Sequence, residues 1–222
     1  NEIHIVLFGG FLERIFETGN WPNKKYHFWT LSNRVKEILT KMVSIPENFI
    51  SVIPRNKIQS IPKKLLFLNF NQPINLIYAG RISSQKNIET FLCFASSLEN
   101  KLDVNTYLLG NFDNYTPKNR GRFIITNYES DILNFIKELN FKNNPKILNN
   151  LNQSEWISHV PPNSIFINFS TFVCEDFGLA LTEAHEHGYP LLISDWGGHA
   201  DLIASNISFV PKSDIAESQN SK

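Results

Sequence analysis

The chain contains only two cysteines, Cys93 and Cys174, which stand far apart in the sequence. Two cysteines are too few for the disulfide framework of a small secreted domain, so a reducing compartment is the default expectation. Apolar runs are also short, and none approaches the roughly 20 residues that a membrane-spanning helix needs. No signal peptide is apparent, and the chain opens on Asn1 instead of Met, which suggests that its true start lies elsewhere. We therefore expect a cytoplasmic protein, or one held peripherally at the inner face of the membrane.

The sequence also has no excess of positive or negative charge. The 21 basic and 21 acidic residues give a formal net charge of zero. Such a chain lacks the basic surface with which many nucleic-acid-binding proteins hold phosphates. It also lacks the simplest means of holding an anionic membrane surface. Nucleic acid is therefore not an expected partner.

The sequence does contain a regular alternation of short apolar strands and amphipathic helices. The predicted strands are Ile3–Phe8, Tyr26–Leu31, Ile50–Ile53, Asn75–Ala79, Val104–Leu109, Phe123–Thr126, Lys146–Leu151, Ile165–Phe169 and Pro190–Ser194. The predicted helices cover Phe11–Phe16, Ser32–Met42, Asn87–Ala95, Ile132–Leu139, Gln153–Val160 and Gly178–Gly188, with Ser32 and Asn87 as N-caps. This order predicts an α/β fold, a Rossmann-like parallel sheet with helices on both faces.

Four segments follow from the distribution of these elements. Residues 1–55 form a partial or reduced N-terminal α/β region, and residues 56–72, with lysines, prolines and no clean period, form a linker. Residues 73–212 form the larger Rossmann-like domain, and residues 213–222 form a polar tail. Ligands of such sheets bind beyond the carboxyl ends of the strands, so the loops after the strands are the first place to search for a site.

Two carboxylates surround the start of the helix predicted at Gly178. Glu175 lies on the loop before it, and Glu183 lies more than a turn inside it, with seven residues between the two. The first turn of a helix favours a phosphate, and a glycine lets a ligand approach the backbone closely. A carboxylate accepts two hydrogen bonds, which suits a vicinal diol. The pattern predicts a site for a sugar joined to a nucleotide, whereas a surface acid and a helix salt-bridge partner are the plain alternative.

A basic pair, Arg81 and Lys86, follows another predicted strand at the same edge of the sheet. Arginine binds phosphate through two parallel hydrogen bonds, and lysine supplies a mobile point charge. Together with a helix N-terminus they would stabilise the negative charge that develops on a departing diphosphate without a metal. On its own, such a pair is more often a solvated surface pair.

Other candidate residues are less convincing. His185, Glu186 and His187 lack the spacing that places two zinc ligands on one helical face, and neither they nor His199 predict a metal site. Cys174 has no evident base partner for nucleophilic catalysis. We assign Trp156 and Trp196 to packing, although Trp196 lies near Gly197-Gly198 and could touch a sugar.

The segments YAGRISSQKNIETFL and INFSTFVCEDFGLALTEAHEHGYPLLISDWGGHADLI resemble the donor-binding domain of retaining glycosyltransferases of group 1, family 4. The first segment contains the family's basic pair, Arg81 and Lys86. The second contains its E-x7-E motif, Glu175 and Glu183. FWTLSNRVKEILTKMVSIPENFISVIPRN also resembles the last N-domain strand and helix of the family, which lead into the linker. These enzymes have the GT-B architecture of two Rossmann-like domains facing each other across a cleft.

The resemblance implies a retaining hexosyltransferase that moves a sugar from a nucleoside diphosphate, UDP or GDP, to a hydroxyl of a glycan, lipid or protein. Residues 73–212 would be the nucleotide-sugar-binding domain. Catalysis would depend on Glu175, Arg81 and Lys86, and no metal or other cofactor would be needed. The implied donor-binding residues are Gly80, Arg81, Lys86, Glu175, Phe177, Gly178, Leu179 and Glu183. Among them, Arg81 and Lys86 would hold the diphosphate, Glu175 the sugar hydroxyls and Glu183 the ribose.

The sequence also departs from the family. Asp201 stands where the family usually has a glutamate after Gly197-Gly198, and the segment before the linker is much shorter than an N-terminal domain of roughly 150 residues. A partner chain or a missing segment would then complete the acceptor domain, and His4 is not a safe counterpart of the family's N-domain histidine. Two alternatives keep the fold: a catalytically inactive nucleotide-sugar-binding or scaffolding domain, and a phosphorylase or epimerase. The sequence does not identify the base, the sugar or the acceptor.

Overall fold

The computed structural model describes residues 3–7, 26–53, 64–113, 127–151, 155–172, 175 and 178–203. Within these residues the strands form two sheets, in which every pair of neighbouring strands is parallel. The smaller sheet has the order β1-β2-β3 and contains β1 (Ile3–Val6), β2 (Tyr26–Thr30) and β3 (Ile50–Val52). The larger sheet has the order β6-β5-β4-β7-β8 and contains β4 (Ile74–Ala79), β5 (Val104–Leu109), β6 (Lys146–Leu148), β7 (Ser164–Asn168) and β8 (Leu191–Ile193). The predicted α/β class is confirmed.

The helices connect these strands as a parallel sheet requires. They are α1 (Asn33–Met42), α2 (Ile88–Leu98), α3 (Tyr128–Glu138), α4 (Leu179–Glu186) and α5 (Ala200–Ile203). Short 3₁₀ turns occupy Glu47–Phe49, Ser84–Lys86, Trp156–His159 and Gly197–His199. None of the helices in the described part of the chain combines the length and the apolar character that a membrane span requires.

The larger sheet is covered on both faces. Alternate residues of β4 belong to different cores: Leu76 and Tyr78 pack with α2 and α3, whereas Ile77 packs with α4 and α5. Side chains of a strand point alternately to the two faces of its sheet, so this division confirms helices on both sides. A continuous apolar run such as Ile74–Ala79 is what a strand buried on both faces needs.

The smaller sheet packs against α1 through a core of its own, which includes Phe28, Val35 and Leu39. The Ser32 hydroxyl accepts a hydrogen bond from the Val35 N–H at 3.2 Å, so Ser32 is the predicted N-cap. Asp201 is joined to the start of the same helix, because its Oδ2 accepts the Asn33 main-chain N–H at 2.8 Å. The carboxylate at the position where the resembled family has glutamate therefore connects the two halves of the molecule.

Several predictions of local structure need correction. The apolar spacing of Val35, Ile38, Leu39 and Met42 predicts one buried face for α1, but Met42 is 64% exposed and does not belong to it. Asn87 occupies the N-cap position of α2 but makes no capping hydrogen bond, because its backbone is left-handed and its amide instead donates to the Phe169 carbonyl. Of the helix predicted at 153–160, the described residues 155–160 contain a 3₁₀ turn, Trp156–His159, in place of an α-helix. The strand expected over Lys146–Leu151 ends at Leu148. Short elements have ends that depend on tertiary contacts more than on periodicity.

Other predictions lie outside the described residues. These are the helix Phe11–Phe16, the strand Phe123–Thr126, residues 56–63 of the linker and the polar tail at residues 213–222. The described end of the linker, from residue 64, runs beside α4, where the Leu66 N–H donates to the Gly188 carbonyl at 2.8 Å. The proposed division at residues 55, 72 and 212 stays a prediction.

Candidate functional site

A cavity of about 570 Å³ opens beyond the carboxyl ends of β4, β5 and β7. This is the edge of a parallel sheet at which ligands bind. The cavity is lined by several residues that the sequence pattern or the family resemblance predicts as site residues: Gly80, Arg81, Lys86, Glu175, Gly178, Leu179 and Glu183. Phe177 and Cys174 lie outside the described residues. The fold thus brings together two loops that are about 90 positions apart in the chain, the one after β4 and the one before α4.

Glu175 forms an ion pair with Lys86, and because both side chains line the cavity and are largely buried we call their end of it the deep end. The side chain of Glu175 is 8% exposed and that of Lys86 is 17% exposed. Burial by itself would raise the pKa of Glu175, but the Lys86 ammonium and the His199 ring outweigh it, and the pKa lies below the ordinary value of 4.5. Glu175 is therefore a fixed, ionised carboxylate whose charge is balanced by a neighbouring cation.

A glycine loop holds the main chain of Glu175. The Gly198 N–H donates to the Glu175 carbonyl at 2.6 Å. Gly197 has a φ of +53°, and a Cβ at this position would lie 2.2 Å from the same carbonyl oxygen. Only glycine combines this backbone conformation with so close an approach. The pair Gly197-Gly198 therefore contacts the loop that carries Glu175 directly.

His199 lies beneath the start of α4 and is fully buried. Its Nδ1 is 3.3 Å from the Ser194 hydroxyl, and its Nε2 is 4.0 Å from Oε1 of Glu175. A Cβ on Gly178, which has a φ of +69°, would lie 3.0 Å from the His199 ring. Sequence reasoning considered His199 only as a zinc ligand and missed this place. Its position directly after the glycine pair was the signal that could have found it.

Glu183 lies at the more open end of the cavity and is half-buried. Its Oε2 accepts a hydrogen bond from the indole N–H of Trp156 at 2.7 Å. Trp156 also packs edge-on against Phe166, with ring centroids 5.4 Å apart. The assignment of Trp156 to packing alone was incomplete, because the residue lines the cavity and bonds to one of the two glutamates. Trp196, by contrast, donates its indole N–H to the Phe172 carbonyl at 2.7 Å.

Arg81 projects from the rim of the cavity. Its side chain is 60% exposed, and Nη1 lies 2.6 Å from Oδ2 of Asp113. Its main-chain carbonyl accepts the Tyr78 hydroxyl at 2.7 Å, and burial holds the pKa of that hydroxyl far above its ordinary range. Both predicted cations thus have carboxylate partners, Lys86 in its pair with the buried Glu175 and the more exposed Arg81 in its pair with Asp113.

The N-terminus of α4 faces the cavity through Gly178 and Leu179. The N-cap residue is Gly178, and among the residues that the structure describes no side chain caps this helix end. Uncapped N–H groups in a first turn, together with the helix dipole, favour an anion. Lys86, Arg81 and this helix start are therefore three sources of positive potential around one cavity, next to two carboxylates.

Side chains that can bind a metal ion are not grouped together in the described part of the chain. In the described ranges, no group of three or more His, Cys, Asp or Glu side chains is arranged to hold a metal ion. His187 is instead engaged with its own helix, since its Nδ1 lies 2.9 Å from the Glu183 carbonyl. Independence from metal stays a prediction.

Comparison with known proteins adds to this geometry. The model of a protein family described as glycosyl transferases group 1 matches residues 63–220. A comparison with curated protein sequences gives no significant match.

Solved structures with the same fold include GT-B glycosyltransferases. HepE of Anabaena, solved with UDP, is 14% identical with a TM-score of 0.67, over 96% of this chain and 59% of its own. TarM is 15% identical with a TM-score of 0.65, over 98% of this chain and 42% of its own. WaaG, described as a glycosyltransferase involved in lipopolysaccharide biosynthesis, is 14% identical with a TM-score of 0.60, over 87% of this chain and 51% of its own. The chain therefore spans about half the length of these proteins.

Proposed function

Because the chain belongs to the family of group 1 glycosyl transferases, we propose that it transfers a sugar from a nucleoside diphosphate to a hydroxyl group with retention of the anomeric configuration. The observation that carries this proposal is the cavity in which Glu175, Glu183 and Lys86 meet the start of α4. Two acids around an anion site would be unfavourable for phosphate alone. They suit a ligand with a diphosphate in the middle and a diol at either end.

Different residues of the cavity would bind different parts of the donor. The diphosphate would lie against the N-terminus of α4, with Lys86 and Arg81 as its cations. Glu175 would accept hydrogen bonds from hydroxyls of the transferred sugar, and Glu183 from the ribose. Phe177 and Leu179, on either side of Gly178, would contribute main-chain contacts to the sugar and the phosphate. Gly80 would leave room beside the diphosphate.

The reaction breaks the bond between the anomeric carbon and the diphosphate oxygen, and the bonding electrons leave with that oxygen. The acceptor oxygen bonds to the anomeric carbon on the same face, and its proton passes to the departing phosphate. Negative charge grows on the diphosphate during this step, and fixed positive groups in a site with little water stabilise it. Lys86, Arg81 and the helix dipole supply these groups, so we propose that no divalent metal is needed.

Glu175 has a positioning and stabilising role in this scheme. Its carboxylate is already paired with Lys86 and buried, which favours a fixed charge beside the sugar over a nucleophile that must leave its partner to attack. Positive charge develops at the anomeric carbon in the transition state, and an ionised Glu175 next to it would lower the barrier.

The donor is expected to be a UDP-sugar first and a GDP-sugar second, because structures of HepE contain UDP and UDP-glucose. The protein would be incubated with UDP-, GDP- and ADP-sugars, and release of the nucleoside diphosphate would be measured with and without a chelator. NMR of the released or transferred sugar gives the anomeric configuration. Retention and insensitivity to the chelator are expected, and inversion or a strict metal requirement would contradict the mechanism.

A second candidate is a domain that binds a nucleotide sugar without turnover. It is favoured by the pairing of both cations, Lys86 with Glu175 and Arg81 with Asp113, because a phosphate has to compete with these carboxylates. A calorimetric titration beside the turnover assay separates the two. The non-catalytic domain would bind the donor, with a raised melting temperature, and release no diphosphate from any of the donors.

A further inference from the structure

We propose that Trp156 is a specificity-determining residue of the donor site: its indole fixes Glu183 in the orientation that selects a ribose over a deoxyribose. The inference rests on the proposed function, in which Glu183 binds the ribose of the donor. Trp156 lies outside the motif formed by Glu175 and Glu183. The inference gives this residue a part in selecting the ligand group that binds at Glu183.

The indole is a fixed donor. Trp156 is 8% exposed, and its ring packs edge-on against Phe166 of β7 at an interplanar angle of 72°. It also belongs to the core that contains Leu181 and Ala184 of α4. The ring cannot rotate without disturbing that core, so the position of its N–H is set by the packing of the sheet against the helix.

Glu183 is oriented by this donor. Its Oε2 accepts the indole N–H at 2.7 Å, and both residues line the cavity. The bond uses one oxygen and leaves Oε1 for a hydroxyl of the ligand. A glutamate has three rotatable bonds, and holding it before the ligand arrives reduces the entropy lost on binding. When Glu183 is held in this way, a ligand that lacks the ribose hydroxyl leaves the half-buried Oε1 without a hydrogen-bond partner from the ligand.

Selectivity should therefore depend on the indole. A site built around a hydroxyl group rejects an analogue that lacks it more strongly when its polar groups cannot reorient. Without the indole N–H, Glu183 can turn toward water when the hydroxyl is missing, and the penalty for the deoxy analogue becomes smaller. The affinity for the natural ribose falls at the same time, because the carboxylate has to be ordered by the ligand.

The test measures affinity by calorimetry for UDP, 2′-deoxy-UDP and 3′-deoxy-UDP in the wild-type chain and in Trp156→Phe. We expect the larger of the two ribose-to-deoxyribose affinity ratios to fall roughly three- to tenfold in the variant. The matched control is Trp29→Phe, which removes an indole N–H that donates to His4 Nδ1 at 3.1 Å in the smaller sheet. The control should leave the ratio unchanged.

A double-mutant cycle shows whether Trp156 acts through Glu183. In a Glu183→Ala background, Trp156→Phe should have no further effect on the ratio, because the group that it orients is gone. Equal loss of affinity for UDP and for its deoxy analogues in Trp156→Phe would overturn the inference and leave Trp156 as a packing residue.

A measurement on the wild-type chain covers the case in which the variant does not fold. Exchange of the Trp156 indole proton, followed by NMR with ¹⁵N-labelled tryptophan, should be slow and stay slow when UDP is added. Faster exchange in the UDP complex would overturn the inference, because the bond would then be broken by the ligand. If UDP does not bind, GDP and its deoxy analogues replace it; if no nucleotide binds the wild-type chain, the proposed function fails together with the inference.

Discussion

The two ends of the cavity hold the same type of side chain in different surroundings. Glu175 is buried, pairs with an ammonium, and has its main chain fixed by Gly197-Gly198. Glu183 is half-buried and accepts from a neutral indole. The charge of the first carboxylate is compensated by an ammonium, whereas the partner of the second among the described residues is the neutral indole of Trp156.

This difference between the two glutamates fits two different roles, catalysis for Glu175 and donor binding for Glu183. Charge changes during glycosyl transfer only near the anomeric carbon and the diphosphate, so groups there must hold fixed positions against strong fields. In the proposed reaction the ribose is unchanged, and a carboxylate with a neutral neighbour would be sufficient to bind its hydroxyls. We therefore expect substitutions at the deep end to affect stability and turnover, and substitutions at the open end to affect binding.

The largest effect is expected for Lys86→Met. Removal of the ammonium leaves Glu175 as a buried charge without its ion-pair partner, and such changes lower the free energy of unfolding by about 3–5 kcal/mol. Chemical denaturation measures the loss. The control is Lys41→Met, which breaks an ion pair with Glu37 on an exposed helix face, where Lys41 is 70% exposed. For Lys41→Met we expect the free energy of unfolding to fall by less than about 0.5 kcal/mol. Similar losses in both variants would remove the distinction between the deep pair and a surface pair.

Glu175→Gln should reduce kcat by about 10²–10³-fold with little change in the affinity for UDP, because the amide has the shape of the carboxylate but not its charge. Steady-state kinetics and calorimetry give the two quantities. Glu99→Gln is the control, since Glu99 is also a buried glutamate, 8% exposed, that accepts the Lys142 N–H at 2.8 Å far from the cavity. An unchanged kcat in Glu175→Gln would assign Glu175 to structure alone.

Glu183→Ala should show the opposite behaviour. Loss of charged hydrogen bonds to the ribose should weaken donor binding by about tenfold or more, while kcat at saturating donor changes little. Glu186→Ala, on the same helix and with the same change of charge, should bind the donor normally. The comparison between the two ends fails if Glu183→Ala lowers kcat and leaves the affinity unchanged, or if neither glutamate has a measurable effect.

The smallest expected effect is a dependence of stability on pH. The pKa of Glu175 is lowered in the folded protein, so the folded state binds fewer protons than the unfolded state between the two pKa values. The contribution of Glu175 is therefore complete above the ordinary value of 4.5 and is lost as the pH falls through the folded pKa. Thermal unfolding should show that the stability difference between the wild-type chain and Glu175→Gln shrinks below that pH. Glu183→Gln, which keeps the Lys86–Glu175 pair, should still lose the contribution of Glu175 as the pH falls through the lowered pKa of that residue.

Much of the candidate site could be predicted because its residues follow strands. The strand predicted at Val104–Leu109 and the helix around Ile132 and Ile136 agree with the structure, since periodic apolar positions define a buried face. Parallel strands end at one edge, so Arg81 and Glu175, on loops after two different strands, had to meet there. The exposed end of α1 at Met42 and the 3₁₀ turn at Trp156–His159 could not be predicted, because neighbouring segments decide them.

The sequence by itself determined most of the order of strands and helices in the described residues, the edge at which the candidate site lies, and the two glutamates and two cations that line it. Only the tertiary structure decided their partners: Lys86 with Glu175, Arg81 with Asp113, Trp156 with Glu183, and His199 beneath Gly178. The physical reason is that periodicity reports which face of an element is buried, whereas each of these contacts joins residues between 21 and 89 positions apart. Such contacts depend on how helices and loops pack on the two faces of the sheet. A local sequence pattern does not specify which residues meet across so many positions of the chain.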